Sequence, residues 1–327
     1  RILARNADPS ADIVEINAEL SALADSVISM CLELAAGDRN GTSCMDQSKK
    51  GFIVLGLGKL GGRELNVSSD IDLIYLYNDK NGCESSAEMT RLAERLTRLL
   101  SEATEYGFLY RVDTRLRADG TTGPLVRSLR DYFRYLEMRG EAWERQMLLK
   151  ARPVAGDIAS GGVFLAELEH FIFPGAVTRS PNREIAAIKA KIESRLASDG
   201  SKGTHLKLRP GGIRDIEFIV QCLQLLTGGM KPEVRVPGTL SALDALKNCE
   251  AVSDAEHHVL REAYILYRRV ENALQWRELT PASSVPIDRP GLHTLARILG
   301  YDSHDGEPGD MLAEDLDRMF RDVRSVF

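Results

Sequence analysis

Cysteine is sparse in this 327-residue chain: Cys31, Cys44, Cys83, Cys222 and Cys249 are an odd number with no CxxC pair. That argues against a disulfide framework or a cysteine zinc site and fits reduced thiols in a cytoplasmic protein. The six histidines show no HExxH or other ligand spacing, so surface and packing roles are expected for them. Basic charge is not in surplus either. The formal net charge of −6 argues against a general nucleic-acid binder, although Lys and Arg are dense between Arg111 and Arg152. No apolar run approaches the roughly 20 residues of a membrane span, and the N-terminus does not read as a signal peptide. Neither nucleic acid nor membrane is therefore an expected partner. No internal repeat and no low-complexity tract is visible, and the chain opens at Arg1 in mid-pattern, as a piece of a longer polypeptide would.

What is present is organised around Gly51–Tyr77, GFIVLGLGKLGGRELNVSSDIDLIYLY. An apolar run, Phe52–Leu57, leads into the turn Gly58-Lys59-Leu60-Gly61-Gly62. Ser68-Ser69-Asp70-Ile71-Asp72 then stands at the mouth of a second run, Leu73–Tyr77. Carboxylates at i and i+2 of a strand project to one face. At about 4 Å and an effective dielectric near 20 they repel by roughly 4 kcal/mol, so the pair calls for a cation. Mg²⁺ held by one or two carboxylates together with phosphate oxygens is the usual one.

Around this core the periodicity predicts helices. One covers residues 12–36 (Ile13, Ile16, Leu20, Leu23, Ala24, Val27, Ile28, Cys31, Leu32), and another covers 87–103, stopped by Gly107. Phe108–Val112 reads as a strand ending at Asp113, with Leu125-Val126 as its hairpin partner across the Asp119–Pro124 turn region. Ser128 with Asp131 opens a helix, and Glu141–Lys150 forms a second that carries Trp143 and Glu144, which are expected to fix it against the sheet. Arg152-Pro153 and Gly156 break the pattern and mark a boundary at 153–162. Beyond it helices dominate. One starts at Ser180-Pro181, Ile213–Leu226 follows the Pro210-Gly211-Gly212 turn, and a capping box at Ser253/Glu256 opens a long helix to about Leu279. Two more end at Gly300 and Phe327. The expected class is α+β, with residues 1–50 as an N-terminal helical segment, 51–160 as a sheet-containing domain and 161–327 as an α-helical bundle domain.

Gly56-x-Gly58-x-x-Gly61 matches a dinucleotide fingerprint, but the context fails. A Rossmann unit needs a full crossover helix before its acidic residue, and here only eight residues separate Gly61 from Asp70. No Walker A sequence is present. Glycines at Gly61 and Gly62 suit close approach of backbone N–H groups to phosphate, with Asp70 and Asp72 holding metal and Asp113 completing a three-carboxylate site. Two such metals stabilise both the attacking and the leaving oxygen of an in-line displacement. The constellation is the polymerase-β-like nucleotidyltransferase pattern. Arg111, Arg115 and Arg117 suit phosphate through the planar guanidinium fork, or else serve as salt-bridge partners on a hairpin. Strand alternation would put Arg111, Asp113 and Arg115 on one face. Lys59 is a point charge for phosphate or a solvated turn lysine. Asp215, in the first turn of its helix, stabilises the N–H-rich end. Arg214 and Glu217 are candidates for contacts with substrate.

The segments GLGKLGGRELNVSSDIDLIYLY, YRVDTRLR, GPLV, WERQMLLKAR and GGIRDIEFIVQ, in that order, resemble the bacterial bifunctional glutamine synthetase adenylyltransferase/adenylyl-removing enzyme from about residue 17 onward. That family carries two homologous nucleotidyltransferase halves. One removes AMP from a tyrosine of glutamine synthetase by phosphorolysis, and the other attaches it from ATP. ELNVSSDIDLI, the GPLV ending, RGEAWERQMLLKAR and RRVENALQ resemble the N-terminal, adenylyl-removing half. Two departures are Ala118, where proline is usual, and Arg209-Pro210, where small residues are more common.

The resemblance implies Mg²⁺ as cofactor, two ions being expected and Mn²⁺ a possible substitute, with Asp70, Asp72 and Asp113 as ligands. It implies phosphate contacts at Gly61, Gly62 and Ser69. The implied partners are glutamine synthetase, phosphate with ADP or ATP, the PII signal protein and a covalently linked second half. The other expectations left open are the adenylylating reaction and a metal-free docking module for glutamine synthetase or PII.

Overall fold

The two most apolar runs of the chain lie side by side. Strand β1 (Phe52–Gly56) pairs antiparallel with β2 (Ile71–Tyr77), Phe52 opposite Tyr77 and Gly56 opposite Leu73. Every residue of β1 is buried, as expected for a central strand covered on both faces. The structure is a computed structural model describing residues 2–6, 8–37, 51–79, 85–173, 204–278, 280, 282–304 and 306–326. Its contacts resolve into two units. The sheet unit comprises Ser21–Leu65 and Ser69–Ala176, and the helical unit comprises Arg1–Leu20, Asn66–Ser68 and Val177–Phe327. This division follows packing and not chain order, so it differs from the breaks expected at 50 and 160.

In the sheet unit the strand order is β3-β2-β1-β5, with β3 (Val112–Asp113) and β5 (Arg152–Gly156) at the ends and β4 (Val126–Ser128) also on β2. Both β3 and β4 run parallel to β2 along the same edge, β3 beside Ile71 and Asp72 and β4 beside Tyr75–Tyr77. The expected hairpin between the Phe108–Val112 run and Leu125-Val126 does not form. Only Val112 and Asp113 are strand, Phe108 and Leu109 are half exposed, and both partners have turned to β2, whose edge offers a longer ladder. Arg152–Gly156, read as pattern-breaking, is a strand antiparallel to β1. Its Pro153 is tolerated because β5 is an edge strand, and the register is irregular beside it.

The short α1 (Ile2–Asn6) and the long α2 (Ile13–Gly37) precede β1, and α3 (Gly58–Gly61) is the glycine turn itself. Helix α4 (Ser86–Ser101) begins with a Ser85/Glu88 capping box and buries Met89, Leu92, Ala93, Leu96 and Leu100. Each of its larger apolar side chains contributes roughly 1.5–3 kcal/mol of transfer free energy. Tyr75 links sheet and helix, stacking on Phe52 at 5.9 Å and hydrogen-bonding Thr97 at 2.8 Å. Helices α5 (Leu129–Arg139), α6 (Ala142–Leu148), α7 (Ile158–Glu167) and α8 (Glu169–Ile172) complete the unit. Ser128 caps α5 by accepting from the Asp131 amide at 3.1 Å.

The helical unit is built on α11 (Asp254–Glu278), with α9 (Ile213–Thr227), α10 (Thr239–Asn248), α12 (Arg289–Ile298) and α13 (Pro308–Val326) around it. The predicted stripe of Leu260, Ala263, Tyr264, Tyr267, Val270 and Leu274 is buried. The Ser253/Glu256 capping box is present in both directions. A two-residue pairing, β6 (Thr204–His205) with β7 (Ser284–Val285), is its strand content among the described residues. Gly211 requires its φ of +84°, and a Cβ there would lie 2.0 Å from the Phe320 carbonyl oxygen, so Pro210-Gly211-Gly212 is a close-packed turn. The helix expected at Ser180-Pro181, and Cys44 and Cys83, lie outside the described residues. Cys31, Cys222 and Cys249 are free thiols. By length and composition alone α2 is long and apolar enough to cross a membrane, although no unbroken apolar run marks it. Ile13, Ile16, Leu20, Ala24, Ile28, Leu32 and Ala35 on it are buried within the protein.

Candidate active site

The first carboxylate, Asp70, ends the approach to β2, and the second, Asp72, is its second residue. In the parallel pairing of β2 with β3, Asp72 stands directly beside Asp113, so the third acid is a neighbouring-strand residue, about 4.8 Å away between strands. Asp72 is held at the glycine turn: the Leu57 amide donates to its carbonyl at 3.0 Å, and a Cβ on Gly58 would lie 2.5 Å from its Oδ2. Gly58 has φ +52°, so at this position both the conformation and the space demand glycine. Burial, then the charges of Asp113 and Asp70, push the Asp72 carboxyl up to about 6, with Lys59 and Arg115 opposing.

The two outer acids are turned onto arginines. Arg111 Nε is 2.5 Å from Asp70 Oδ1, and Arg115 Nη2 is 2.5 Å from Asp113 Oδ2. The hydrogen bonds from Arg115 hold the Asp113 carboxyl below its ordinary range. The strand stops at Asp113, so Arg115 reaches its acid by folding back, with its own amide also donating to Asp113 at 2.8 Å, and not by the expected alternation. Arg117 takes a different place. Its guanidinium donates to the carbonyls of Thr114, Thr121 and Gly123 and pins the 114–123 loop where Ala118 stands in place of the usual proline.

Gly61 and Gly62 close the turn. Their amides donate to the carbonyls of Leu57 and Gly58 at 2.9 and 3.0 Å, and a Cβ on Gly61 would lie 1.9 Å from the Lys150 carbonyl oxygen. Arg152, in β5, holds this turn from the other side by donating to the carbonyls of Leu60 and Gly61 while pairing with Asp25 at 2.8 Å. Lys150 and Glu64 form a buried ion pair at 2.8 Å beside it. These four residues were not singled out in the sequence. For Lys150 and Arg152 the signal was the KAR ending of the WERQMLLKAR segment, two cations at the junction of a helix and a strand; Asp25 and Glu64 carried none.

Ser69 and Lys59 are partly buried, at the start of the acidic stretch and in the turn. Arg214 and Glu217 lie on α9 of the helical unit, Arg214 exposed and Glu217 partly buried. Asp215 accepts from the Gly211 amide at 2.7 Å, a capping role. Trp143 donates to Glu141, and Glu144, fully buried, accepts from the Glu141 amide, so both shape the start of α6.

Among the described residues no three His, Cys, Asp or Glu side chains are gathered as an ion requires. The local reason is the turning of Asp70 and Asp113 onto their arginines. The donor set nonetheless fits a hard cation: Asp72 and Asp113 on two adjacent strands and Asp70 just before the first, with Asp72 destabilised in its charged form by the other two.

Residues 1–167 match the profile of the family described as glutamate-ammonia ligase adenylyltransferase, and residues 186–327 match that of GlnD PII-uridylyltransferase. Among curated proteins, the chain is similar to the bifunctional glutamine synthetase adenylyltransferase/adenylyl-removing enzyme of Mesorhizobium japonicum. Identity is 38% over 260 residues, covering 77% of this chain and 26% of that protein. The Nitrosococcus oceani protein of the same name is 38% identical over 314 residues (92% and 32%). The Xanthobacter autotrophicus one is 35% identical over 309 residues (90% and 31%). The chain thus spans about a quarter to a third of the length of these relatives.

Proposed function

We propose, from the premise that this chain belongs to the glutamate-ammonia ligase adenylyltransferase family, that it is a nucleotidyltransferase acting on glutamine synthetase. Its reaction is the phosphorolytic removal of AMP from an adenylyl-tyrosine. The observation that carries the reading is Asp72 paired beside Asp113 on adjacent strands, with Asp70 two residues before Asp72, at the Gly58–Gly62 turn. The direction is supported by ELNVSSDIDLI, RGEAWERQMLLKAR and RRVENALQ, which resemble the adenylyl-removing half.

In this reaction an oxygen of inorganic phosphate attacks the AMP phosphorus. The bond from phosphorus to the tyrosine oxygen breaks, and ADP and the unmodified tyrosine result. Asp70, Asp72 and Asp113 would hold Mg²⁺, which would supply charge to neutralise the phosphate oxygens. Arg115 and Arg111, each one hydrogen bond from an acid, supply guanidinium charge at the same edge of the sheet. Lys59 and Ser69 face phosphate from the turn and from the start of the acidic stretch. Gly61 serves by letting the turn close against Lys150, and Arg117 by holding the loop that follows Asp113. Asp72, with a carboxyl near 6, is ionised at pH 7–8. The helical unit, matched in part by the PII-uridylyltransferase profile, receives the PII signal.

One assay tests this. The chain is incubated with Mg²⁺, adenylylated glutamine synthetase and phosphate, and ADP is measured. Phosphate-dependent ADP is expected, and Asp70→Asn abolishes it. AMP transfer from ATP to unmodified glutamine synthetase, without ADP release, would reverse the assigned direction. Binding without either product would leave a docking module.

A further inference from the structure

In the sheet unit, nine consecutive residues from the last residue of α4, Ser101, to Leu109 are all exposed. Single exposed apolar side chains are ordinary, but here three fall within four residues. Tyr106 is 92% exposed, Phe108 50% and Leu109 52%. The segment that carries them is closed by its own hydrogen bonds. The Thr104 amide donates to the Gly107 carbonyl at 2.8 Å, and the Gly107 amide donates back to the Thr104 carbonyl at 3.0 Å. Thr104 Oγ1 donates to the same Gly107 carbonyl at 2.8 Å and accepts from the Tyr106 amide at 3.2 Å. Gly107, at φ +99°, supplies the left-handed residue that the turn needs. A built turn, and not a loose end, presents Tyr106 to solvent.

The base of this excursion is tied to the carboxylate edge. The Tyr110 amide donates to the Leu100 carbonyl at 2.8 Å, and the Ile71 amide, next after Asp70, donates to the Arg111 carbonyl at 2.9 Å. The Arg111 guanidinium spans patch and edge: it lies 5.7 Å from the centroid of the Phe108 ring, and its Nε is 2.5 Å from Asp70 Oδ1. From Leu109 to Arg111 the chain covers at most about 7 Å. The apolar patch is thus continuous with the site on the same unit.

We propose that Tyr106, Phe108 and Leu109 are the docking surface for the protein substrate. They seat the polypeptide that flanks the adenylylated tyrosine while its phosphate reaches Asp70 and Asp72. The inference rests on the phosphorolytic reading of those carboxylates and adds where the protein, as distinct from its phosphate, is held. Inorganic phosphate gains nothing from apolar side chains, whereas a tyrosine in a folded protein brings its neighbours with it. Aromatic side chains on a fixed turn suit such neighbours, because they bury a large area while few rotatable bonds are frozen.

The test uses the full chain. Being almost wholly exposed, Tyr106 is replaceable: Tyr106→Ser should leave the thermal midpoint within about 2 °C of the parent. In Tyr106→Ser and Leu109→Ser the KM for adenylylated glutamine synthetase should rise about tenfold, with kcat and the KM for phosphate unchanged. Tyr106→Phe, which keeps the ring, should stay within about twofold of the parent. Should Leu109→Ser unfold, Tyr106→Ser alone carries the test. An unchanged KM in Tyr106→Ser, or a loss confined to kcat, would overturn the proposal. So would ADP inhibition weakened in step with KM, which would give the patch to the nucleotide, or self-association of the parent abolished by Tyr106→Ser, which would give it to a second copy. If the parent releases no ADP, the reaction assigned to the carboxylates fails separately, and binding of adenylylated glutamine synthetase to the immobilised chain decides. A dissociation constant raised about tenfold in Tyr106→Ser supports docking, and an unchanged one, or a parent that does not bind, refutes it.

Discussion

Asp72→Asn should stabilise the metal-free protein while destroying its proposed chemistry. The side chain keeps its shape, so packing against Gly58 is preserved, and what changes is one negative charge buried between two others. Burial and the charges of Asp113 and Asp70 raise the Asp72 carboxyl from 3.8 to about 6. A folded-state value above the unfolded one means that the native protein binds the proton more tightly. Ionised Asp72 therefore costs stability, in full above pH 6 and not at all below pH 4. At about 1.36 kcal/mol per tenfold change in proton affinity, the ceiling is about 3 kcal/mol. Partial relaxation of the neighbours leaves an expected gain of about 1–3 kcal/mol at pH 8, or roughly 2–10 °C in thermal midpoint for a unit of this size. The assay is thermal unfolding of parent and variant in chelator at pH 8 and at pH 4. The gain should be present at the first and absent at the second. On adding Mg²⁺ the order should reverse at pH 8, because only the parent gains by binding. A variant no more stable than the parent at pH 8 in chelator would refute the account of repelling carboxylates.

Gly61→Ala should prevent folding of the sheet unit or cost more than about 3 kcal/mol by urea titration, because its Cβ would overlap the Lys150 carbonyl in a region with no room to relax. Lys150→Met alone should cost about 3–5 kcal/mol by leaving the Glu64 charge buried without its ammonium, and adding Glu64→Gln should recover most of that in a double-mutant cycle. Arg115→Ala should move the acid limb of the pH–rate profile upward. Asp72, near 6, sets that limb, and the Arg115 charge opposes its rise, so without Arg115 Asp72 takes up its proton at a higher pH. An acid limb unmoved in the variant would show that Asp72 does not need to be ionised. Arg117→Ala should accelerate proteolysis within residues 114–123 before it affects phosphate binding, since its hydrogen bonds go to that loop.

The elements that announce themselves by period were legible. The α11 stripe from Leu260 to Leu274, the caps at Ser128 and Ser253 and the fully apolar β1 all formed where local pattern placed them, within a residue or two. So did the association of a glycine turn with an Asp-x-Asp strand, because all its members lie within 27 consecutive residues. The errors share one cause. Val126 alternates as a strand residue in either pairing, and nothing local distinguishes a hairpin with β3 from a parallel ladder on β2. Arg152–Gly156, with a proline and a glycine, reads as a break until β1 is present to pair with it.

By itself, then, the sequence determined the mixed α and β character, the apolar strands and the family. These are encoded in short-range spacing, which burial and backbone sterics translate directly into local structure. Tertiary structure alone decided what each polar group touches. Arg111 finds Asp70 across 41 residues, Lys150 finds Glu64 across 86, and Gln275 finds the Ser68 amide across 207. Periodicity records that a side chain is buried but not which neighbour buries it. A charge or amide has no preferred period at all, and its partner is chosen only when distant segments pack and the cost of leaving it unsatisfied falls due.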